Sequence, residues 1–281
     1  MVQCSSWPAS RITTGGTNGD DRTPMATTGT ERTMTSAVMV NESRSGIVRV
    51  TLDHSVAGNR LDLPTTTAIM EGLDLAECAA GAGVFVLDAT GETFCSGLAL
   101  NSVDGQEWRP LVVAIGRLLA RLAESALVTV AVVDGAAEGG GVGLAASCDR
   151  VIAGPRVSFR MTEVLLGLVP ALVLPVVARR TGAHRAYSLA LTAEQVSSRA
   201  AYELGLADVS CADPDSELRR TLRRLRAADT AALRALKRYY AELPDLGLSV
   251  HGGVPAVLEE RLADPGTHAR LRLLRSAGWA Q

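Results

Sequence analysis

The chain has 281 residues, is 47% hydrophobic but only 4% aromatic, and carries a net charge of −2. It is long enough for one large core packed by Ala, Val and Leu, and it lacks the broad basic block that nucleic acid or an anionic membrane surface would require. No apolar run is predicted to span a membrane, and the five scattered cysteines have neither zinc-ligand nor disulfide-framework spacing. These features favour a soluble protein of the reducing cytoplasm.

Hydrophobic patterning predicts three regions along the chain. Residues 1–36, rich in Thr, Ser and Gly, are interpreted as a disordered tail or as a segment upstream of the true start. Residues 37–210 are expected to form the core and residues 211–281 a helical region. The predicted strands are Val38–Val40, Ile47–Leu52, Val84–Leu87, Val128–Val133, Arg150–Ala153 and Val157–Phe159. The predicted helices are Thr65–Ala79, Trp108–Ser125, Leu172–Thr181, His184–Leu191, Ser197–Leu204, Glu217–Ala227, Thr230–Leu243, Val254–Ala263 and Thr267–Ser276. This order predicts an α/β fold with a helical C-terminal part.

A glycine turn, Gly139–Gly141, follows the strand Val128–Val133 and leads into the small-residue run Val142–Cys148. Successive glycines let the backbone approach a ligand closely, and free N–H groups at a helix start favour negative charge. The turn can therefore bind a phosphate or the developing oxyanion of a carbonyl. Beyond it, Glu163 is a lone carboxylate ahead of an apolar run that ends at Pro170. Partial burial would make it a better base.

Three segments resemble the crotonase, or enoyl-CoA hydratase/isomerase, superfamily in sequence, order and spacing. They are Thr93–Leu98, Val133–Asp149 and Phe159–Pro170. The resemblance covers roughly residues 38–280. It implies an α/β spiral of repeated ββα units, with a helical C-terminal part used in assembly as a homotrimer or a dimer of trimers. It also implies an acyl thioester substrate on the pantetheine of CoA or of an acyl carrier protein, with no other cofactor and no metal.

The resemblance implies a role for each site residue. The backbone N–H groups of Leu98 and Gly140 would form an oxyanion hole for a thioester enolate, which such donors stabilise more than the neutral carbonyl. Glu163 matches one of the two glutamates of ordinary hydratases and would act as acid and base. Gly143 stands where the other glutamate would fall, which argues against simple hydration. The residues expected to bind substrate around this centre are Ser96, Gly97, Gly139, Gly141, Val142, Gly143 and Pro170.

One subgroup is more similar than the rest: the dehydratases of polyketide β-branching cassettes, which act on a 3-hydroxy-3-methylglutaryl-like group on an acyl carrier protein. The stretches Gly140–Asp149, Phe159–Pro175 and Leu236–Tyr240 carry this likeness. Ala99 stands where many relatives have Asp, and Leu172 stands where this subgroup is expected to have Cys; either change is interpreted as a sign of an altered substrate or of lost activity. The alternatives are an enoyl thioester isomerase or hydratase acting on CoA substrates, and a non-catalytic thioester-binding or scaffold subunit.

Several charged and aromatic residues have two readings. Glu138 is a candidate second acid or a surface residue, and Arg160 meets a substrate carboxylate or forms a structural ion pair. The run Arg219–Arg226 is a solvated helix face or a local site for an acidic carrier protein. Tyr239 and Tyr240 line the pantetheine entrance or pack at a subunit interface.

Overall fold

The computed structural model describes residues 29–35, 37–43, 46–79, 81–99, 108–241, 259 and 262–278. The strands are β1 (Gly29–Thr35), β2 (Val38–Ser43), β3 (Ile47–Leu52), β4 (Val84–Ala89), β5 (Thr93–Cys95), β6 (Val128–Val133), β7 (Ala136–Glu138), β8 (Arg150–Ala153), β9 (Ser158–Arg160), β10 (Val196–Ser197) and β11 (Val209–Ser210). The helices are α1 (Leu63–Cys78), α2 (Trp108–Glu124), α3 (Gly140–Ser147), α4 (Val173–Thr181), α5 (Ala183–Thr192), α6 (Ser198–Leu204), α7 (Pro214–Ala227), α8 (Thr230–Ala241) and α9 (Pro265–Ser276). Short 3-10 turns occupy Ser55–Ala57 and Glu163–Leu166.

Two sheets are built from repeated ββα units. The large sheet has the strand order β1-β2-β3-β4-β6-β8-β11, and the small sheet has the order β10-β9-β7-β5. In the units β4-β5-α2, β6-β7-α3 and β8-β9-α4, the first strand joins the large sheet and the second joins the small one. Successive units lie side by side and parallel, as strands joined by crossover helices must. The predicted α/β fold of ββα repeats is confirmed.

The large sheet is buried on both faces, which explains the nearly continuous apolar runs of its central strands. Phe85 and Leu87 of β4 pack into the main core on the face that carries the glycine turn. Val84 and Val86 alternate with them and pack on the other face, against Leu218 of α7. Helix α7 and the main core therefore lie on opposite sides of this sheet.

Strand β1 corrects the predicted boundary of the N-terminal tail. Gly29–Thr35 lies within the segment 1–36 but pairs antiparallel with β2. Its threonines suit a strand, but the polar composition around them hides that signal. Residues 1–28 and most of the predicted helix Val254–Ala263 lie outside the described residues.

The C-terminal helical region packs against its own chain. Leu262 and Leu271 join Trp108 in a small apolar cluster that also holds two leucines of the site, Leu166 and Leu168. The hydroxyl of Thr267 in α9 donates a hydrogen bond of 3.3 Å to the carbonyl oxygen of Gly167. Helix α9 thus covers the 3-10 turn that begins at Glu163, and its predicted part in trimerisation stays a prediction. None of the described helices has the length and apolar character needed to cross a bilayer.

Candidate active site

A cavity of about 300 Å³ brings most of the predicted site residues together. It lies where the loop after β5, the glycine turn after β7 and the 3-10 turn after β9 converge. The predicted residues that line it are Ser96, Gly97, Leu98, Gly139, Gly140, Glu163 and Pro170. Its apolar wall is formed by Val112, Ile115, Leu166, Leu168, Leu172 and Val173. An enclosed apolar site with a few polar groups is the usual character of a small-molecule pocket.

The loop after β5 presents the N–H group of Leu98. Leu61 holds the loop on both sides of this residue, because its N–H donates to the Gly97 carbonyl (2.7 Å) and its carbonyl accepts from the N–H of Ala99 (2.9 Å). Gly97 has φ +84°, and a Cβ there would lie 2.7 Å from the carbonyl oxygen of Glu138. Only glycine fits that turn. The N–H of Leu98 is left without a backbone acceptor in the described residues.

The glycine turn presents the N–H group of Gly140 beside that of Leu98. Gly139 has φ +47° and donates its own N–H to the carbonyl oxygen of Arg160 at 2.9 Å. Gly140 is the first residue of α3, so its N–H has no intrahelical acceptor. A Cβ on Gly140 would lie 3.6 Å from the Cα of Gly97 and 3.8 Å from the nitrogen of Leu98. Two N–H groups without an acceptor among the described residues therefore lie close together at the cavity wall, where they can bind an oxygen that gains negative charge.

Gly141, Val142 and Gly143 lie in α3 behind this wall rather than at the cavity surface. A Cβ on Gly141 would lie 2.2 Å from the carbonyl oxygen of Cys95, so glycine allows α3 to pack tightly on β5. A Cβ on Gly143 would lie 3.1 Å from Leu119 and 3.2 Å from Val173. Apolar side chains therefore occupy the space beside Gly143, the position at which ordinary hydratases have their second glutamate. Direct contact of these three residues with substrate stays a prediction.

Glu163 is a buried carboxylate at the start of the 3-10 turn. Its Oε1 lies 3.3 Å from the point that a Cβ of Gly139 would occupy, so the carboxylate faces the glycine turn. Its Oε2 is buried and has no hydrogen-bond partner among the described residues. Burial raises the pKa of Glu163 from 4.5 to about 7, because desolvation disfavours the charged form. A carboxylate with that pKa can both take and return a proton near neutral pH.

Four further polar residues line the cavity: Arg60, Glu138, Arg160 and Thr162. Glu138 therefore has the location that a second acid requires. Arg160 stands opposite it in register on the neighbouring strand, and its Nε donates to the carbonyl oxygen of Ala193 at 2.7 Å. The structural ion pair considered for Arg160 is not found among the described residues. Arg60 and Thr162 were not anticipated, because no local motif singles them out.

Other candidates lie away from this centre or are chemically unsuited to it. Burial raises the pKa of Cys95 and of Cys148 to about 12, so both are thiols at neutral pH rather than nucleophilic thiolates. Tyr239 and Tyr240 are exposed on α8 and do not line the cavity. Within the described ranges, no three His, Cys, Asp or Glu side chains cluster in a way that could hold a metal ion.

Residues 42–245 match the family model of the enoyl-CoA hydratases/isomerases, and the chain belongs to this family. It is 32% identical over 165 residues to the bacillaene synthase dehydratase PksH of Bacillus subtilis, an alignment that covers 57% of this chain and 64% of PksH. It is 30% identical over 221 residues to a putative enoyl-CoA hydratase of Thermus thermophilus, with coverage of 75% and 86%. The crystal structure of PksH from Bacillus subtilis matches with a TM-score of 0.79 at 25% identity and covers 85% of this chain and 97% of that one.

The chain spans less than two thirds of the length of PksH and of a similar enoyl-CoA hydratase from Alternaria alternata in these sequence alignments. These relatives are named as a dehydratase and as enoyl-CoA hydratases, and the family model is that of the enoyl-CoA hydratases/isomerases. The likeness to the polyketide dehydratase that the motifs indicated is present in both sequence and fold.

Proposed function

We propose that this chain is a dehydratase that removes water from a 3-hydroxy-3-methylglutaryl-like acyl thioester on an acyl carrier protein, in polyketide β-branching. The observation that carries the proposal is the buried carboxylate of Glu163 in one cavity with the N–H groups of Leu98 and Gly140; among the described residues, neither its Oε2 nor these N–H groups have a hydrogen-bond partner. Similarity to a protein named as a polyketide synthase dehydratase supports the direction of the reaction.

The two N–H groups act as an oxyanion hole in this mechanism. The thioester carbonyl oxygen accepts hydrogen bonds from Leu98 and Gly140. Negative charge grows on that oxygen as the α-proton leaves, so fixed donors in an enclosed site bind the enolate more strongly than the substrate. Removing one such donor typically lowers kcat by roughly 10²–10³-fold.

Glu163 moves a proton from the α-carbon to the departing 3-hydroxyl oxygen. Its carboxylate takes the α-proton, and the C–H electron pair passes into the enolate. The enolate then re-forms the thioester carbonyl as the α,β double bond forms and the C–O bond to the 3-hydroxyl breaks. Protonated Glu163 gives its proton to the departing hydroxyl, so the products are water and an unsaturated thioester. A pKa of about 7 suits a group that must serve as base and then as acid.

An enoyl thioester isomerase is the second candidate. A single carboxylate is sufficient to take a proton from one carbon and return it to another. The apolar contacts around Gly143, where a second glutamate would be needed to hold water, favour reactions that need only Glu163.

The remaining parts of the proposal concern partners and setting. The substrate would bring its own phosphopantetheine arm, and no other cofactor or metal is invoked. The assembly would be a homotrimer or a dimer of trimers. Cys95, Cys148 and Cys211 form no disulfide among the described residues, and the proposed setting is the reducing cytoplasm.

Intact-protein mass spectrometry of a carrier protein loaded with the 3-hydroxy-3-methylglutaryl group tests the proposal. Wild-type protein should remove one water, and Glu163→Gln should slow that loss by roughly 10²–10⁴-fold. Glu194→Gln, a change at an exposed glutamate after α5, is the matched control and should behave as wild type. Undiminished dehydration by Glu163→Gln would overturn the assignment. An unchanged mass with a moved double bond would identify an isomerase, and binding without any reaction would identify a scaffold.

A further inference from the structure

Arg160 is a half-buried cation that lines the cavity and has no carboxylate partner in the described part of the chain. It ends β9 and lines the cavity. Among the described residues, no carboxylate oxygen lies within 4.0 Å of its guanidinium nitrogens. Its one side-chain hydrogen bond there, from Nε to the carbonyl oxygen of Ala193 at 2.7 Å, leaves the two Nη groups available.

The bond to Ala193 holds the guanidinium at a fixed place. Ala193 caps the C-terminus of α5 in the left-handed conformation, with φ +48°, and is almost fully buried. Its own N–H donates to the carbonyl oxygen of Leu189 at 3.0 Å. Carbonyl groups at a helix C-terminus carry partial negative charge, which attracts a cation. The arginine is therefore positioned by rigid backbone before any ligand arrives.

Neither acidic residue of the cavity neutralises this arginine. Glu138 stands beside it in register on β7, yet the two form no ion pair. The pKa of Glu163 is raised by burial, without an opposing effect from Arg160. Arg60 adds a second cationic residue to the lining. A partly buried cation without a counter-ion favours a ligand that brings negative charge.

The location of Arg160 indicates which part of the ligand would carry that charge. Its carbonyl oxygen accepts the N–H of Gly139, and Glu163 follows three residues later, so the backbone of Arg160 lies at the reacting end of the cavity, which Arg160 also lines. The pantetheine phosphate belongs at the opposite end of a thioester ligand. The anion that reaches Arg160 must then be part of the acyl group itself.

We propose that Arg160 binds the distal carboxylate of the acyl group and thereby selects dicarboxylic acyl thioesters over uncharged ones. This inference rests on the proposed function for the orientation of the thioester. A planar guanidinium pairs with both oxygens of a carboxylate, which makes such contacts strong and directional. Loss of a hydrogen bond to a charged group is expected to weaken binding by roughly 10- to 100-fold.

Binding of two ligands that cannot react tests the inference separately from catalysis. The ligands are the 3-methylglutaryl thioester of pantetheine and the same thioester with a terminal carboxamide, and isothermal calorimetry gives Kd for each. Wild-type protein should bind the acid roughly 10- to 100-fold more tightly than the amide. Arg160→Gln should abolish that preference, and Arg160→Lys should retain part of it. Arg185→Gln, which removes an exposed arginine of α5, is the matched control.

A second pair of ligands that carry the 4′-phosphate separates the acyl carboxylate from the phosphate. If Arg160→Gln weakens binding only of the phosphorylated ligands, whatever their acyl charge, the arginine binds phosphate and the inference is overturned. Equal Kd values for acid and amide in wild type, or an acid preference that survives in Arg160→Gln, overturn it as well. The two proposals can also fail separately. If folded Arg160→Gln loses the preference for the acid while wild type dehydrates nothing, the role of Arg160 is supported and only the proposed reaction is refuted.

Discussion

Glu163→Gln is expected to slow dehydration by roughly 10²–10⁴-fold and, at neutral pH, to make the protein more stable. The wild-type carboxylate is buried and its Oε2 has no hydrogen-bond partner in the described part of the chain. Its negative charge is therefore poorly solvated in the folded state. Removing the charge removes this unfavourable free energy. Active-site groups often lower the stability of the folded protein in this way.

The size and sign of the effect follow from the two pKa values. Below pH 4.5, the ordinary value, the carboxyl group is protonated in the folded and the unfolded protein alike, and no charge is buried. As the pH rises towards the folded value of about 7, the unfolded chain ionises first and the folded state loses stability. Above pH 7 the loss is complete. The gap between the two values corresponds to at most about 3 to 4 kcal/mol, at ~1.4 kcal/mol per pKa unit.

Urea unfolding at a series of pH values from 4.5 to 8.5 measures this dependence. The free energy of unfolding of Glu163→Gln, minus that of wild type, should rise by up to about 3 to 4 kcal/mol across the series and level off above pH 7. The amide brings its own constant offset, so only the change with pH is diagnostic. Glu194→Gln should give a flat difference. A flat difference for Glu163→Gln would refute the view that burial raises this pKa.

Three other outcomes are expected. For dehydration, kcat/KM should rise with pH, reach half of its maximum near pH 7 and level off about one pH unit higher, because Glu163 must be ionised to take the α-proton; a flat pH–rate profile would contradict this. Gly97→Ala should lower kcat by roughly 10²-fold or more, because its Cβ would lie 2.7 Å from the carbonyl oxygen of Glu138 and displace the oxyanion loop. Gly81→Ala is the control in the same kinetic assay. Gly81 has the same left-handed φ (+80°), but a Cβ there would meet no atom within 4 Å. An equal loss of kcat in Gly81→Ala would show that the loss comes from the backbone angle and not from the contact with Glu138. Gly143→Glu should destabilise the protein by roughly 1–3 kcal/mol in urea unfolding, because α2 and α4 fill the space beside it. An unchanged unfolding midpoint would show that this space can open.

Long elements were predictable from periodicity, whereas short strands were not. The predicted helix Trp108–Ser125 differs from α2 by one residue, because its apolar face is sustained over several turns. The strands β5, β7, β10 and β11 have only two or three residues. Such segments are too short to show an alternating pattern, and they are strands because other repeats place a partner beside them. Residues 29–35 illustrate the same limit, since β2 supplies the pairing that their composition does not reveal.

The centre of the site was predictable because its parts sit in contiguous motifs. Gly97 and Gly139 have positive φ in turns that glycine-rich motifs predict. Glu163 follows them at the spacing expected for the enoyl-CoA hydratase/isomerase family. The surroundings of Arg160 were not predictable. The position of its guanidinium depends on Ala193, a residue 33 positions away whose carbonyl oxygen accepts a hydrogen bond from Nε. Contacts of that kind arise only when the helices pack.

In the proposed mechanism, Glu163 removes the α-proton of a thioester held by two backbone N–H groups. Exchange of the α-hydrogens of a 3-methylglutaryl thioester in heavy water measures this step alone, because that ligand has no 3-hydroxyl to lose. Wild-type protein should introduce deuterium at the α-carbon, and Glu163→Gln should do so at least roughly 10²-fold more slowly while still binding the thioester. Equal exchange by both proteins would contradict the assignment of Glu163 as the base. The absence of exchange by a wild type that dehydrates the 3-hydroxy substrate would contradict it as well.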